Sequence, residues 1–179
     1  ICLCSCGRQR VNNYFEFVLI IGIDNGLDGG LCAVSKFDGS VIDKIAMPTK
    51  WVAKKREVDT RAVKEWVVSL NTPFTIAIEE PLAHAKSSQA VRSMALSFGK
   101  IVGMAEANDY DVQRISVHKW QKTMLGFRPK GMTKQVALTK AEDLAPAECW
   151  LKNKRCRKAH DGMVDAFLVA LYYRETQKT

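Results

Sequence analysis

The stretch Val18-Leu19-Ile20-Ile21-Gly22-Ile23-Asp24-Asn25-Gly26 opens the regular part of this 179-residue chain. Its apolar run over residues 18–24 is typical of a core strand, and the Asp-Asn-Gly at its end is typical of a turn. Gly29-Gly30 leads into a second apolar run over 31–36, and Asp38-Gly39 is a hairpin signal before a third over 41–47. Three strands joined by such short turns predict an antiparallel meander.

The chain downstream alternates between helical and strand patterns. Apolar residues recur with helical spacing over residues 61–70, and residues 74–79 form the short apolar run of a strand buried inside a sheet. Residues 48–60 show neither pattern and are predicted to form a basic loop. The same criteria predict a helix over 88–107, a strand over 112–117, helices over 118–124 and 133–144, and a last helix that begins near residue 161. This order predicts an α/β fold with a five-stranded mixed sheet, a meander followed by parallel strands, flanked by helices.

Composition limits the class of protein. Hydrophobic residues make up 47% of the chain, so we expect one ordered domain, which we place at residues 18–179. Residues 1–17, with Cys2, Cys4 and Cys6, are cysteine-rich and then polar, and we expect a disordered or non-native extension there. No apolar run reaches the roughly 20 residues of a membrane span, so no membrane partner is expected. Cysteines without a compact spacing favour a reducing, intracellular compartment.

The charge of the chain favours a polyanionic partner. Its formal net charge is +8, and its lysines and arginines are clustered over residues 50–56, 128–134 and 152–158. Such clusters are typical of surfaces that bind nucleic acid. A basic surface that is merely solvated is the alternative interpretation.

Two carboxylates, Asp161 and Asp165, stand four residues apart where the last helix begins, just before an apolar run over 167–171. Positions four apart are separated by about 40° around a helix axis, so the two acids share a face. Two acids on the packed face of a helix are unfavourable unless a positive group lies between them, and a divalent cation is the usual one. Alternatively, Asp161 is the N-cap of the helix and Asp165 pairs with Arg157 or Lys158.

Two further acids end predicted strands. Asp24 ends the first strand and Glu79 ends the fourth, and sites in an open α/β sheet form at the ends of its buried strands. The sequence therefore predicts that carboxylates from three distant segments meet, and such hard oxygen ligands select Mg²⁺ or Mn²⁺. Two such ions about 4 Å apart can activate a water and stabilise the leaving oxygen in phosphodiester cleavage. Alternatively, Asp24 only shapes a turn and Glu79 only ends a strand in solvent.

Three acidic motifs resemble, in this order, those of RuvC-type Holliday junction resolvases, which belong to the ribonuclease H-like nuclease superfamily. The motifs are Ile20-Ile21-Gly22-Ile23-Asp24-Asn25-Gly26, Ala77-Ile78-Glu79-Glu80-Pro81 and Asp161-Gly162-Met163-Val164-Asp165-Ala166, and the segments 120–126 and 134–136 resemble the family's basic segment. The resemblance covers about residues 18–173. It implies a ribonuclease H-like fold and a crossover junction endodeoxyribonuclease that uses Mg²⁺, with Mn²⁺ as a substitute and two ions per subunit. It also implies a homodimer that nicks two opposed strands of four-way DNA.

The resemblance also implies site residues. By motif matching, Asp24, Glu79 and Asp165 are catalytic metal ligands. Bacterial members space the last two ligands three apart, where this chain has Gly162; Asp161 faces the same way as Asp165, as in phage-like relatives, and we expect it to be the fourth. The expected DNA-contacting residues are Lys134, Lys122, Lys119, Arg128, Lys130, His160 and Leu82.

The resemblance implies different roles for these residues. Lys134 matches a family lysine beside the scissile phosphate, for which Lys122 and Lys119 are looser candidates. His160 is expected to contact substrate or to support the ligands. Leu82 occupies the position of a bulky side chain that wedges into the junction, with burial in the core as the alternative.

Other functions fit parts of the sequence. One is a less selective endonuclease of forks or flaps, and another is a catalytically silent protein that binds junctions and would shift them without any Mg²⁺-dependent product. The segment 24–30 also resembles the first phosphate loop of actin-like ATPases. That fold needs two such domains and a second phosphate loop, and 179 residues hold only one.

Overall fold

The computed structural model describes residues 18–81 and 87–178. In chain order the elements are β1 (Leu19–Asp24), β2 (Gly30–Ser35), β3 (Val41–Ala46), β4 (Thr49–Val52), β5 (Lys55–Val58), α1 (Thr60–Ser69), β6 (Phe74–Glu79), α2 (Ser88–Glu106), β7 (Val112–Ile115), α3 (Val117–Leu125), α4 (Thr133–Leu144) and α5 (Asp161–Thr176).

The central sheet has five strands in the order β3-β2-β1-β6-β7. The first three strands of the chain pair antiparallel, whereas β6 lies parallel to β1 and β7 lies parallel to β6. Gly39 has a φ of +81° in the turn between β2 and β3, which is why the Asp-Gly pair marks that hairpin. The predicted meander and the predicted mixed five-stranded sheet are confirmed.

Helices cover both faces of the sheet because the side chains of each strand alternate between the faces. In β1, Ile20 packs in a core cluster with residues of α3, α4 and α5, whereas Ile21 and Ile23 pack with residues of α1 and α2. Helix α5 is buried on nearly every side. Its apolar run is therefore a core helix between the sheet and the outer helices α3 and α4.

Helix α5 crosses β1 at very short range because Gly22 has no side chain. A Cβ at Gly22 would lie 2.0 Å from the backbone oxygen of Ala166 and 2.9 Å from the Cβ of Ala170. The start of α5 also approaches the sheet closely, since a Cβ at Gly30 would lie 2.8 Å from backbone atoms of Gly162. These contacts place the first turn of α5 directly against the end of β1.

Residues 48–60 differ from the prediction of a basic loop. They contain a hairpin in which β4 and β5 pair from Thr49↔Val58 to Val52↔Lys55. Its two turn residues, Ala53 and Lys54, have φ values of 45° and 67°, and such turns are normally marked by Asn-Gly or Asp-Gly. The hairpin escaped the sequence pattern because neither residue is a turn signal for positive φ.

Strand β7 is shorter than predicted. The strand predicted over 112–117 ends at Ile115, because Val117 is buried at the start of α3. The expectations for residues 1–17 and for Leu82 fall outside the described residues. Within the described ranges, no helix combines the length and apolar character needed to cross a membrane.

Candidate metal centre

The neighbouring strands β1 and β6 bring two acids side by side. Asp24 lies on the face of β1 that α5 covers, as does Gly22 two residues earlier. Glu79 lies on the same face of β6 as Ala77, which belongs to the core cluster of α5. Because the two strands are parallel and adjacent in register, Asp24 and Glu79 end them at the same edge of the sheet, on the same face.

The first turn of α5 adds two more acids. Asp161 and Asp165 line a cleft of about 510 Å³ together with Asp24, so the two helix acids share a face, as their spacing predicts. They differ in burial: Asp165 is mostly buried, whereas the side chain of Asp161 is 47% exposed. Only Asp165 therefore lies on the packed side of the helix.

The N-cap of α5 is His160 and not Asp161. The Nδ1 atom of His160 accepts a hydrogen bond from the backbone N–H of Met163 at 3.3 Å. The interpretation of Asp161 as a helix cap is therefore wrong, and its carboxylate remains available to the cleft that His160 also lines.

Burial and mutual repulsion disfavour the charged forms of these acids. Burial raises the pKa of Glu79 to about 8 and the pKa of Asp165 to about 7, and the negative charge of Asp24 adds to both shifts. The pKa of Asp24 is also raised, mainly by burial, although its carboxylate accepts a hydrogen bond from the N–H of Gly26 at 3.0 Å. Three largely buried carboxyls that repel one another form a site whose ionised state a cation would stabilise.

Lys134 of α4 is the protein cation that faces these acids. Its ammonium group forms an ion pair with Asp161, and this hydrogen bond is the main reason that the pKa of Lys134 is raised. The positive charge of Lys134 also lowers the pKa of Asp165. The cation beside Asp165 is therefore Lys134, and not Arg157 or Lys158 as the alternative interpretation held. The Lys134 side chain is 77% exposed and is therefore accessible to a ligand in the cleft.

The donor set fits a hard divalent cation, because carboxylate oxygens are the ligands that Mg²⁺ and Mn²⁺ prefer. As the side chains stand, no three His, Cys, Asp or Glu groups within residues 18–81 and 87–178 are close enough to hold one ion. Protein partners hold two of the acids instead: Glu79 Oε2 accepts a hydrogen bond from Trp120 Nε1 at 2.8 Å, and Asp161 pairs with Lys134. An ion would therefore have to displace Lys134 from Asp161, while Glu79 retains its second oxygen.

The predicted DNA-contacting residues do not all lie at this cleft. Lys134 and His160 line it, whereas Lys119 lines a different cleft beside Glu80. Lys134 is therefore the lysine that the fold brings to the acids. The remaining candidates lie on α3 or in the loop after it: Lys122, Arg128 and Lys130.

Two residues that support Glu79 were not predicted. The fully buried Trp120 donates its indole N–H to the carboxyl group, and the side chain of Asn25 donates to the backbone carbonyl of Glu79. Trp120 lies 41 residues from its partner, so no local pattern joins the two. Asn25 directly follows Asp24, and its place next to an expected ligand was the signal that the sequence offered.

The raised pKa of Glu79 predicts how stability depends on pH without metal. In the unfolded chain Glu79 ionises near its ordinary pKa of 4.5, whereas in the folded chain it ionises near 8. The folded state therefore binds the extra proton between these values, and stability falls as pH rises through this window. In chelator, we expect Glu79→Gln and the unmodified chain to unfold at similar temperatures at pH 4.5 and the variant to be several degrees more stable at pH 8. A difference in unfolding temperature that does not change with pH would contradict this expectation.

The fold of this chain is similar to that of known structures. No protein-family model and no curated protein sequence matches the chain. Among solved structures, Thermus thermophilus RuvC in complex with a Holliday junction substrate matches with a TM-score of 0.65 at 15% identity, over 90% of this chain and 95% of that chain. A structure of Thermus thermophilus RuvC matches with a TM-score of 0.53 at 13% identity, over 89% of this chain and 96% of that chain. The chain has a RuvC-type, ribonuclease H-like fold.

Proposed function

We propose that this protein is a metal-dependent endonuclease that resolves four-way DNA junctions by paired nicks. The observation that carries the proposal is the meeting of Asp24, Glu79 and Asp165, from three distant segments, at one end of a RuvC-type sheet. The Thermus relative of similar fold was solved with a Holliday junction substrate. The net charge of +8 suits the same polyanionic ligand.

The four carboxylates would hold Mg²⁺ or Mn²⁺. The charge of Asp24 acts on both Glu79 and Asp165, so these three carboxylates would be the main ligands of the ions. Asp161 completes the site or orients the attacking water. A pair of divalent ions at such a site activates water and stabilises the leaving oxygen in phosphodiester hydrolysis.

Lys134 is assigned to the scissile phosphate. Its pairing with Asp161 and the charges of Asp165 and Asp24 all raise its pKa, so the ammonium group stays charged at neutral pH. Its exposed side chain reaches the mouth of the cleft. From this position the ammonium group of Lys134 would neutralise charge on a phosphate oxygen.

Basic segments beside the cleft would grip the DNA backbone. Residues 50–56 form most of the β4–β5 hairpin, and residues 128–134 connect α3 to the start of α4, where Lys134 lies. Contacts of this kind with phosphates give affinity that is largely independent of sequence and falls as salt rises. Paired nicks need two catalytic clefts, and each chain contributes one within its described residues, so we assign a homodimer.

A labelled four-way junction, a fork and a plain duplex, each incubated with Mg²⁺, Mn²⁺ or chelator, test this function. We expect symmetric nicks in the junction with either metal, little cleavage of the duplex, and no product in chelator. Equal cleavage of forks and junctions would favour the less selective branched-DNA endonuclease. Junction binding without product under every metal condition would favour the catalytically silent protein and contradict the proposal.

A further inference from the structure

The β4–β5 hairpin presents a tryptophan to solvent. The side chain of Trp51 is 74% exposed, although tryptophan is the residue with the largest surface to bury. Exposed lysines surround it on both strands and in the turn: Lys50, Lys55 and Lys54. An aromatic ring on a basic ribbon combines a stacking surface with phosphate contacts, the two features that bind unpaired bases.

The hairpin holds Trp51 on the side of the ribbon that faces the carboxylate cleft. Trp51 is directly opposite Arg56, and opposite residues of an antiparallel pair point to the same face. The guanidinium group of Arg56 contacts the Asp28 carboxylate at 2.5 Å, and Asp28 lines the carboxylate cleft. Val58, which is also on this face, is buried in the core. One end of the face is thus anchored in the fold, and the other presents the indole ring.

A second cleft lies between this hairpin and the start of α2. It has a volume of about 440 Å³ and is lined by Lys55, Arg56 and Arg92 among others. Leu27 lines both this cleft and the carboxylate cleft, so the two are adjacent. A strand that passes the acids would therefore continue into a cleft with three basic side chains beside the hairpin.

We propose that Trp51 stacks on an unpaired base of branched DNA and that the second cleft holds the backbone of the same strand. This inference rests on the proposed function and identifies the feature of the substrate that the hairpin recognises. A base in a continuous duplex is already stacked on its neighbours, whereas a base at a branch point is available to the indole ring. Trp51 therefore contributes selectivity for branched over plain DNA, while Lys55, Arg56 and Arg92 contribute affinity for both.

Substitution at Trp51 tests the proposal in an Asp24→Asn background, where substrate stays intact. We expect Trp51→Ala to weaken binding of a four-way junction about tenfold, in the lower half of the range for the loss of one stacked base. Binding of plain duplex should change less than twofold. Trp51→Tyr should restore most of the affinity because it retains an aromatic face. The matched control is Phe37→Ala, an exposed aromatic residue in the turn between β2 and β3, at the opposite end of β1 from Asp24; we expect no change.

A cross-linking experiment locates the contact directly. A junction with 5-iodouracil at the branch point should form a photo-adduct on the peptide that contains Trp51, and the adduct should disappear in Trp51→Ala. Wild-type cleavage of junctions together with unchanged junction affinity in Trp51→Ala would overturn this inference and leave the proposed function intact. Failure of the unmodified chain to bind branched DNA would instead overturn the proposed function. A lower solution mass of Trp51→Ala with unchanged affinity per site would assign the tryptophan to a protein contact and also overturn the inference.

Discussion

Asp24→Asn is expected to abolish cleavage of a four-way junction while binding of the junction persists. Asp24 ends the central strand β1, and its charge contributes to the raised pKa of both Glu79 and Asp165. An amide at this position cannot supply the negative oxygens that a pair of divalent ions requires. Loss of about 4 kcal/mol of transition-state stabilisation corresponds to a roughly thousandfold lower rate. Single-turnover cleavage with Mg²⁺ and a gel-shift measurement in chelator separate the two effects.

The control for this change is Asp143→Asn, which removes an exposed carboxylate from α4 with the same chemistry. It should leave both cleavage and binding unchanged. The assignment of Asp24 to the ions is refuted by an Asp24→Asn protein that cleaves junctions at the unmodified rate. Loss of junction binding along with cleavage would show that Asp24 has a structural role, since a neutral side chain should weaken repulsion of the DNA backbone.

Gly22→Ala is expected to destabilise the protein severely. The added Cβ would lie 2.0 Å from the backbone oxygen of Ala166 and 2.8 Å from the backbone nitrogen of Ala170. Neither backbone atom can move without displacing α5 from the sheet, and overpacking of this kind costs about 3 kcal/mol or more. Because α5 carries Asp165, cleavage should fall together with stability. Urea unfolding of the purified variant measures the first effect, and junction cleavage below the unfolding transition measures the second.

Gly103→Ala is the matched control for the same change. A Cβ at Gly103 meets nothing within 4 Å, and the residue lies inside helix α2. Alanine is the better helix former, so stability should rise by about 0.5–1 kcal/mol. Equal and small effects at Gly22 and Gly103 would show that the close packing of α5 on β1 does not position the acids.

The sequence predicted the sheet well because its strands carry strong local signals. The meander follows from apolar runs separated by Gly-Gly and Asp-Gly turns, and β6 was predicted with its observed bounds, Phe74–Glu79. The hairpin of β4 and β5 was missed because Ala53 and Lys54 adopt positive φ without being typical turn residues. Strand β7 was predicted too long because Val117 has strand propensity but begins a helix.

For the candidate site, the four acidic positions were read from local patterns: two strand ends and a four-residue spacing on one helix. In the fold, alternation along β1 and β6 places Asp24 and Glu79 on the same face. The ligand roles of these acids remain predictions. Motif matching favoured Lys134 over Lys122 and Lys119 for the contact with phosphate. The packing of α4 against α5 brings Lys134 to the acids, whereas Lys119 lines another surface.

Local chemistry in the chain was thus sufficient for the strands of the central sheet, most helix bounds and the identity of the acids, because periodicity and turn residues act over a few positions. Contacts between remote segments required the folded molecule: the indole of Trp120 on Glu79, the ion pair of Lys134 with Asp161, and the link from Arg56 to Asp28. The raised pKa values of Glu79 and Asp165 likewise depend on the folded molecule. They arise from burial and from charges that lie close only after β1, β6 and α5 have packed together, and no spacing along the chain encodes that proximity.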